Sequence, residues 1–394
     1  MKALYIAFDT FPRAKGSSSH IASMVEALER AFGAVELLCL GTEEMPGYER
    51  VNGIGIRRFR ERHRDLLARA TAFARFVMER VRDLRGRLAL AVFRDPWGGY
   101  PMLRAQPGCA AIFEVNALPS WELGYSRPGL AANVALRAKL GDLERRCLRE
   151  AARVLCVSSV TRDALARLGV DPARMAVIPN EAGGEFFAPQ PERDPIPALR
   201  EGAWLGYIGG LQPWQGVEAL IDAYALIAED CPESRLLILH SGQPRALRPV
   251  TRAIGRRRLQ SRVLLHPPLA RADVARVLQQ LRFTVAPIAD TARNTVQGCC
   301  PLKVIESMAA GTPVIASDLA VCREWMRDGE EGLLAAAGSH REWALAMRRL
   351  LGDDALRMRL GAGARLRAKA CFSQAVVGRQ LEEQFLSVAA GGSR

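Results

Sequence analysis

The chain has 394 residues, 49% of them apolar and 25% charged; this excludes a disordered chain and exceeds one ordinary core, so two domains are expected. Lys+Arg 55 against Asp+Glu 42 gives +13, enough to attract an acidic partner. All the cations except Lys2, Lys15, Lys139, Lys303 and Lys369 are arginines, the side chain best suited to phosphates.

Cysteines at Cys39, Cys109, Cys147, Cys156, Cys231, Cys299, Cys300, Cys322 and Cys371 form no CxxC pair, and their count is odd. They read as reduced thiols of a cytosolic protein. The first apolar run, Ala3 to Phe8, is too short for a signal peptide, and no later run approaches a membrane span. A cytoplasmic location is expected, extending to the inner face of the membrane if a basic surface binds there.

Strand and helix signals alternate along the chain. In the first half, strands are predicted near Ala3–Phe8, Val35–Leu40, Gly55–Phe59, Leu88–Phe93, Ala110–Val115, Val154–Val157 and Ala176–Pro179. Amphipathic helices are predicted at Ile21–Phe32, Leu66–Leu84, Val134–Glu150 and Val160–Leu168. In the second half the strands are Trp204–Ile208, Arg235–Leu239, Val263–Leu265, Phe283–Ala286, Pro313–Ala316 and Gly332–Leu334. Such alternation specifies parallel sheets covered on both faces, an α/β fold. The break is Gly183–Ala203, with four prolines and few apolar residues. The expected division is 1–184, a linker at 185–203, and 204–372, with a terminal helix at 373–390 returning to the first domain. Two doubly wound domains facing across a cleft place ligands at the carboxyl ends of their strands.

The most informative stretch is Thr295–Asp318. A helix from about Leu302 to Ala310 is stopped by Gly311, and Pro313 starts a buried strand. Gly298, Cys300, Pro301 and Leu302 lead into the helix, where backbone N–H groups and the positive end of the dipole suit a phosphate. Lys303 and Glu306 are three apart and share a face. A cation there suits a diphosphate, and a carboxylate one turn later suits paired ribose hydroxyls. The same spacing also describes a surface ion pair on an ordinary helix.

This stretch resembles the family 4 retaining glycosyltransferases of the GT-B fold. Their hallmark is a Glu, seven residues and a second Glu, then a small-residue turn and a Pro-Val-(Val/Ile)-Ala-(Ser/Thr) strand. Glu306 and the run to Gly311, Thr312, Pro313, Val314, Ile315, Ala316 and Ser317 fit its second half, whereas Gly298 stands where the first Glu falls. Cys300-Pro301-Leu302-Lys303 is similar to a branch reading Ser-Pro-Leu-Lys. The resemblance implies that Glu306 holds the donor ribose.

A second segment, Leu205 to Val217, ends a strand in Gly209 and Gly210 and leads through a loop into a helix; the glycines let a ligand approach the backbone, or simply make a turn. In the family, an Arg and a Lys here clamp the donor diphosphate. Gly210 and Gln215 replace them, leaving Lys303 and the helix dipole as substitutes. Further matches follow in order. Phe11 to Ser17 stands where the family has a Gly-Gly loop touching donor phosphate and acceptor, with Gly16 and Ser17 at its end. His20 reads as a partly exposed polar residue of the next helix. Asn116 replaces a family His near the reacting sugar; it can donate hydrogen bonds but is no base. His240-Ser241-Gly242 ends a strand near the expected nucleotide, with His240 as a wall of the site rather than a catalyst.

There is no HExxH, no Cys/His metal spacing, no Walker A loop and no GxSxG. No cofactor and no metal are expected, and nucleic-acid binding has no motif beyond charge. The sequence thus implies transfer of a hexosyl group from a nucleotide sugar, UDP first, to a glycan or lipid-linked acceptor, in cell-envelope or exopolysaccharide synthesis. The alternatives are a catalytically impaired GT-B scaffold or binding protein, motivated by Gly298, Gly210 and Gln215, and a nucleotide-sugar epimerase. One basic stretch, Arg57–Arg87, interleaves arginines with Leu66, Phe73, Val77 and Val81. It reads either as a helix on an anionic bilayer or as a solvated helix whose apolar stripe packs on the sheet.

Overall fold

The structure, a computed structural model, describes residues 1–13, 16–126, 128–188, 194–241 and 244–391. Lys15, Gly242 and residues 189–193 of the expected linker lie outside the described residues. The chain divides into two units. The first holds Met1–Pro179, Gln297–Cys299 and the end from Val377; the second holds Asn180–Val296 and Cys300–Val376.

The first unit is built on β1 (Lys2–Thr10), β2 (Val35–Leu40), β3 (Tyr48–Val51), β4 (Ile54–Phe59), β5 (Leu88–Phe93), β6 (Ala110–Val115), β7 (Arg153–Cys156) and β8 (Met175–Val177). Their order across the sheet is β3-β4-β2-β1-β5-β6-β7-β8. All neighbours run parallel except β3, which pairs antiparallel with β4. The sequence reading lacks β3. It is joined to β4 by Asn52-Gly53 with φ of 47 and 85, the mirror-image turn that Asn-Gly favours in a two-residue hairpin. The chain leaves β1 toward β2 on one side and returns to β5 on the other, so the switch point lies between β1 and β5.

The second unit contains β9 (Ala203–Gly209), β10 (Ser234–His240), β11 (Val263–His266), β12 (Phe283–Ala286), β13 (Val314–Ser317) and β14 (Gly332–Ala335). They lie parallel in the order β11-β10-β9-β12-β13-β14. Its switch point is therefore between β9 and β12. Strands β12 and β13 are buried throughout, their Thr284 and Ser317 hydroxyls bonded inside the core, as helices covering each side of a parallel sheet require, while the edge strand β11 is half-buried.

The Leu66–Leu84 helix settles the two readings of the basic stretch. Ala70, Phe73, Val77, Val81 and Leu84 are buried, and the last four pack in one cluster with Leu4, Ile6 and Phe93. Its apolar stripe is core and cannot enter a bilayer. Several of the cations are also taken up locally. Buried Glu36 receives Lys2 at 2.7 Å, Arg57 at 3.2 Å and Arg80. Burial pushes the Glu36 carboxyl up, but Arg80 and Lys2 hold it at about 2. The terminal Gln374–Gly391 helix places Val377, Leu381, Phe385 and Val388 in the first unit's core beside Ala3 and Tyr5.

One glycine of the second unit is fixed by close approach. Gly216, at φ 71, would place a Cβ 1.7 Å from the carbonyl oxygen of Pro287. Gly216→Ala is expected to cost about 2 kcal/mol or more, from the backbone conformation and the clash together. Thermal or urea unfolding would check it; a variant as stable as wild type would contradict the tight turn.

Candidate functional site

In the second unit the Leu302–Ala310 helix begins just past the carboxyl end of the sheet. Pro301 caps it without a side-chain bond, and Val304 N–H donates to Pro301 O at 2.9 Å. Gly311, at φ 75, ends it, with its N–H donating to Met308 O at 3.0 Å. Val304, Ile305, Met308, Ala309 and Ala310 face the core. Lys303 and Glu306 are the charged side chains left on the half-buried side.

The two turn to different neighbours. Lys303 Nζ sits 4.8 Å from the Tyr207 ring centroid, 3.4 Å from the Tyr207 hydroxyl, and donates to Gln215 Oε1. It lies over the end of β9, where a Cβ on Gly209 would come within 3.2 Å of Lys303 Cε. Glycine at 209, with φ 150, is what lets the lysine cross that strand end. Gly210 accepts the Tyr207 hydroxyl on its carbonyl oxygen. His240, 7% exposed, is opposite Gly209 in the β9–β10 register. Lys303, Gln215, Gly209, Gly210 and His240 are thus brought together at the strand ends.

Glu306 pairs with Arg271 Nη1 at 3.2 Å, and Arg271 Nε donates to Glu185 Oε1 at 2.5 Å. The Arg271 guanidinium also lies 5.0 Å from the Phe186 ring centroid. One arginine from the start of the Arg271–Gln280 helix therefore serves two carboxylates. The Glu306 side chain is only 14% exposed and borders a small recess formed with Ile208, Thr284 and Val285 of β9 and β12, at the switch point of this sheet. Burial pushes its carboxyl up to about 7; Glu185 adds to the rise, while Arg271 and Lys303 oppose it. Nothing in the sequence pattern marked Arg271 or Glu185, because they come from segments remote from the motif.

Two expected members of this group stand elsewhere. Gly298 belongs to the first unit. At φ 81 it packs where a Cβ would meet Thr161 Oγ1 at 2.6 Å and Ser158 Oγ at 2.7 Å, on the cap of the Ser159–Arg167 helix. A Glu side chain cannot be built there without moving that cap, which accounts for the glycine in the place of the first motif Glu. Cys300 is buried. It accepts Asn180 N–H on its sulfur at 3.3 Å and Asn180 Nδ2 on its carbonyl at 3.1 Å, so its observed bonds are structural.

The first unit carries its own polar group beside the β1/β5 switch point. Glu114 on β6 is 2% exposed. It accepts Tyr5 Oη at 2.5 Å, pairs with His20 Nε2 at 2.6 Å and accepts Asn116 Nδ2. Burial pushes Glu114 up, yet His20, Arg94 and the Tyr5 hydroxyl hold it at about 2. His20 is a partly exposed residue of its helix, its side chain 12% exposed and tied to a buried carboxylate. Gly16 and Ser17 form the first turn of the same helix, Gly16–Phe32, and Arg94 Nη1 donates to Ser17 O at 3.4 Å. The signal for Glu114 was present, since a lone acid inside a fully apolar parallel strand needs partners.

Two family models match the chain. One, described as a glycosyl transferase 4-like domain, covers residues 15–181, and the other, glycosyl transferases group 1, covers residues 202–353. The chain belongs to the group 1, family 4-like glycosyltransferases. It is 31% identical over 211 residues to the D-inositol 3-phosphate glycosyltransferase of Jonesia denitrificans, covering 50% of this chain and 48% of that protein. The chain spans about half the length of the curated relatives it matches. Its fold is similar to that of sucrose-phosphate synthase from Thermosynechococcus elongatus, with TM-score 0.80 and 20% identity over 99% of this chain and 100% of that one. It is also similar to the Anabaena protein HepE solved with UDP-glucose, with TM-score 0.75 and 16% identity over 98% and 100% of the two chains. At such identities the likeness establishes the fold, which is the GT-B glycosyltransferase fold.

The raised Glu306 carboxyl has a measurable consequence in this glycosyltransferase. A carboxyl raised from 4.5 to about 7 favours the folded state fully below its unfolded pKa, and that contribution is lost as pH rises through about 7. Glu306→Gln stays neutral throughout, so its Tm should match wild type at or below about pH 4 and exceed it by several degrees near pH 8. Parallel Tm–pH curves for the two proteins would contradict this account of Glu306.

Proposed function

We propose that this chain is a metal-independent, retaining transferase that moves a hexosyl group from a UDP-sugar to a glycan or lipid-linked acceptor, in building cell-envelope or exopolysaccharide material. The reading rests above all on Lys303. The family's two diphosphate cations are replaced by Gly210 and Gln215, and an ammonium from the neighbouring helix lies against Gln215 and across Gly209. A single relocated cation, with the amino end of the Leu302–Ala310 helix, would meet the charge that grows on the leaving diphosphate.

In this scheme Glu306 accepts hydrogen bonds from the two ribose hydroxyls, and Gly209, Gly210, Gln215, His240, Pro301 and Leu302 line the donor. The bond from the anomeric carbon to the β-phosphate oxygen breaks, the acceptor oxygen bonds to the same face, and the acceptor proton departs with the nucleoside diphosphate. Gly16, Ser17, His20 and Asn116 of the first unit face the acceptor, with Glu114 fixing the His20 ring through Nε2 and leaving Nδ1 to meet an acceptor hydroxyl. The solved complex of HepE with UDP-glucose supports UDP as the nucleotide.

Calorimetric titration with UDP, GDP and ADP tests the reading, and UDP is expected to bind best. Glu306→Ala and Lys303→Met should each weaken UDP about tenfold to a hundredfold, the size of a lost charge-assisted contact. Unchanged UDP affinity in Glu306→Ala removes the ribose assignment, and no binding of any nucleotide favours the scaffold reading. His20→Ala should leave UDP affinity intact while lowering transfer from labelled UDP-sugars about tenfold or more; full turnover would remove His20 from the acceptor side.

A further inference from the structure

The Pro244–Arg256 helix of the second unit carries Arg245, Arg248, Arg252 and Arg256, all exposed. At about 100° per residue the four fall within roughly a quarter of the helix circumference and extend about 16 Å along it. Val250, Ala253 and Ile254 on the other side are buried in the core with Tyr224 and Leu259. No carboxylate occurs from Pro244 to Val263. Among the described residues none of the four has a hydrogen-bond or ion-pair partner, whereas nearby Arg257 is held by Asp222 at 2.7 Å. Like charges three and four apart on a helix repel one another, so the row is unfavourable until an external anion meets it.

We propose that this arginine face docks the protein on the headgroups of an anionic phospholipid bilayer. The exposed residues among the row are Pro249, Thr251 and Gly255. It offers many phosphates a planar array of guanidinium groups, and it has no aromatic side chain on which a base could stack, as single-stranded nucleic acid requires. Among the described residues no helix is long and apolar enough to cross a membrane, and the apolar side of this helix is already core. Attachment is therefore electrostatic, confined to the surface and sensitive to salt. It is independent of what the nucleotide site binds.

The test is sedimentation of the full chain with phosphatidylglycerol-containing vesicles and with pure phosphatidylcholine vesicles. Binding is expected only to the anionic vesicles and should fall steeply between about 0.1 M and about 0.5 M salt. The fourfold Arg→Glu variant at 245, 248, 252 and 256 should lose about a hundredfold in partitioning while staying folded, because all four positions are exposed. Should that variant not fold, the fourfold Arg→Gln variant serves, with a loss of about tenfold or more. Arg75→Glu with Arg82→Glu, exposed positions on the Leu66–Leu84 helix, should retain binding. Retained binding in the fourfold variants, equal loss in the control, or binding to single-stranded RNA without binding to anionic vesicles would each overturn the proposal.

Discussion

A carboxylate withdrawn from water must be met by cations, and in the second unit that constraint is concentrated on Glu306. Its helix starts past the carboxyl ends of β9 and β12 because the chain of a parallel sheet leaves each strand there before crossing back to the amino end of the next, and Gly311 and buried β13 fix where the helix ends. Arg271 bridges Glu306 and Glu185, so three separate segments are tied by one guanidinium. With Lys303, the group sets two cations beside two acids. Planar, two-pronged donation is what a guanidinium offers a carboxylate, and a vicinal diol makes a similar offer. Under the proposed reading, a ribose at Glu306 would compete with Arg271, which keeps Glu185 as its other partner.

The replacement of the two usual diphosphate cations is coherent when the residues are taken together. Gln215 accepts from Lys303, Gly209 leaves room for the lysine stem, and the Tyr207 ring lies beneath the ammonium. Restoring an arginine at 210 or a lysine at 215 would set a second cation beside Lys303. The substitutions form a set rather than a series of losses.

Much of the fold was legible because strand runs such as Val35–Leu40 and Leu88–Phe93 are continuously apolar, and helices such as Leu66–Leu84 have clear periodicity and, there, an Asp65 cap. The edge strand β3 was not, since Tyr48–Val51 is mostly exposed and lacks an apolar run; only its Asn-Gly turn betrays it. At the site, Lys303 and Glu306 were readable because they sit in one short segment. Arg271, Glu185 and the Tyr5–Glu114–His20 group were not, because tertiary structure assembles them from strands and helices far apart in sequence. The basic stretch misled for a related reason. Charge and periodicity do not tell whether an apolar stripe meets a sheet or a lipid, and here Phe73 and Val77 meet β1 and β5.

A structure of the chain with UDP bound is the most direct measurement. The account predicts both ribose hydroxyls within hydrogen-bond distance of the Glu306 carboxylate, Arg271 turned onto Glu185, and a phosphate oxygen on Lys303 Nζ. A nucleotide bound elsewhere, with Arg271 still on Glu306 and Lys303 still on Gln215, would contradict it.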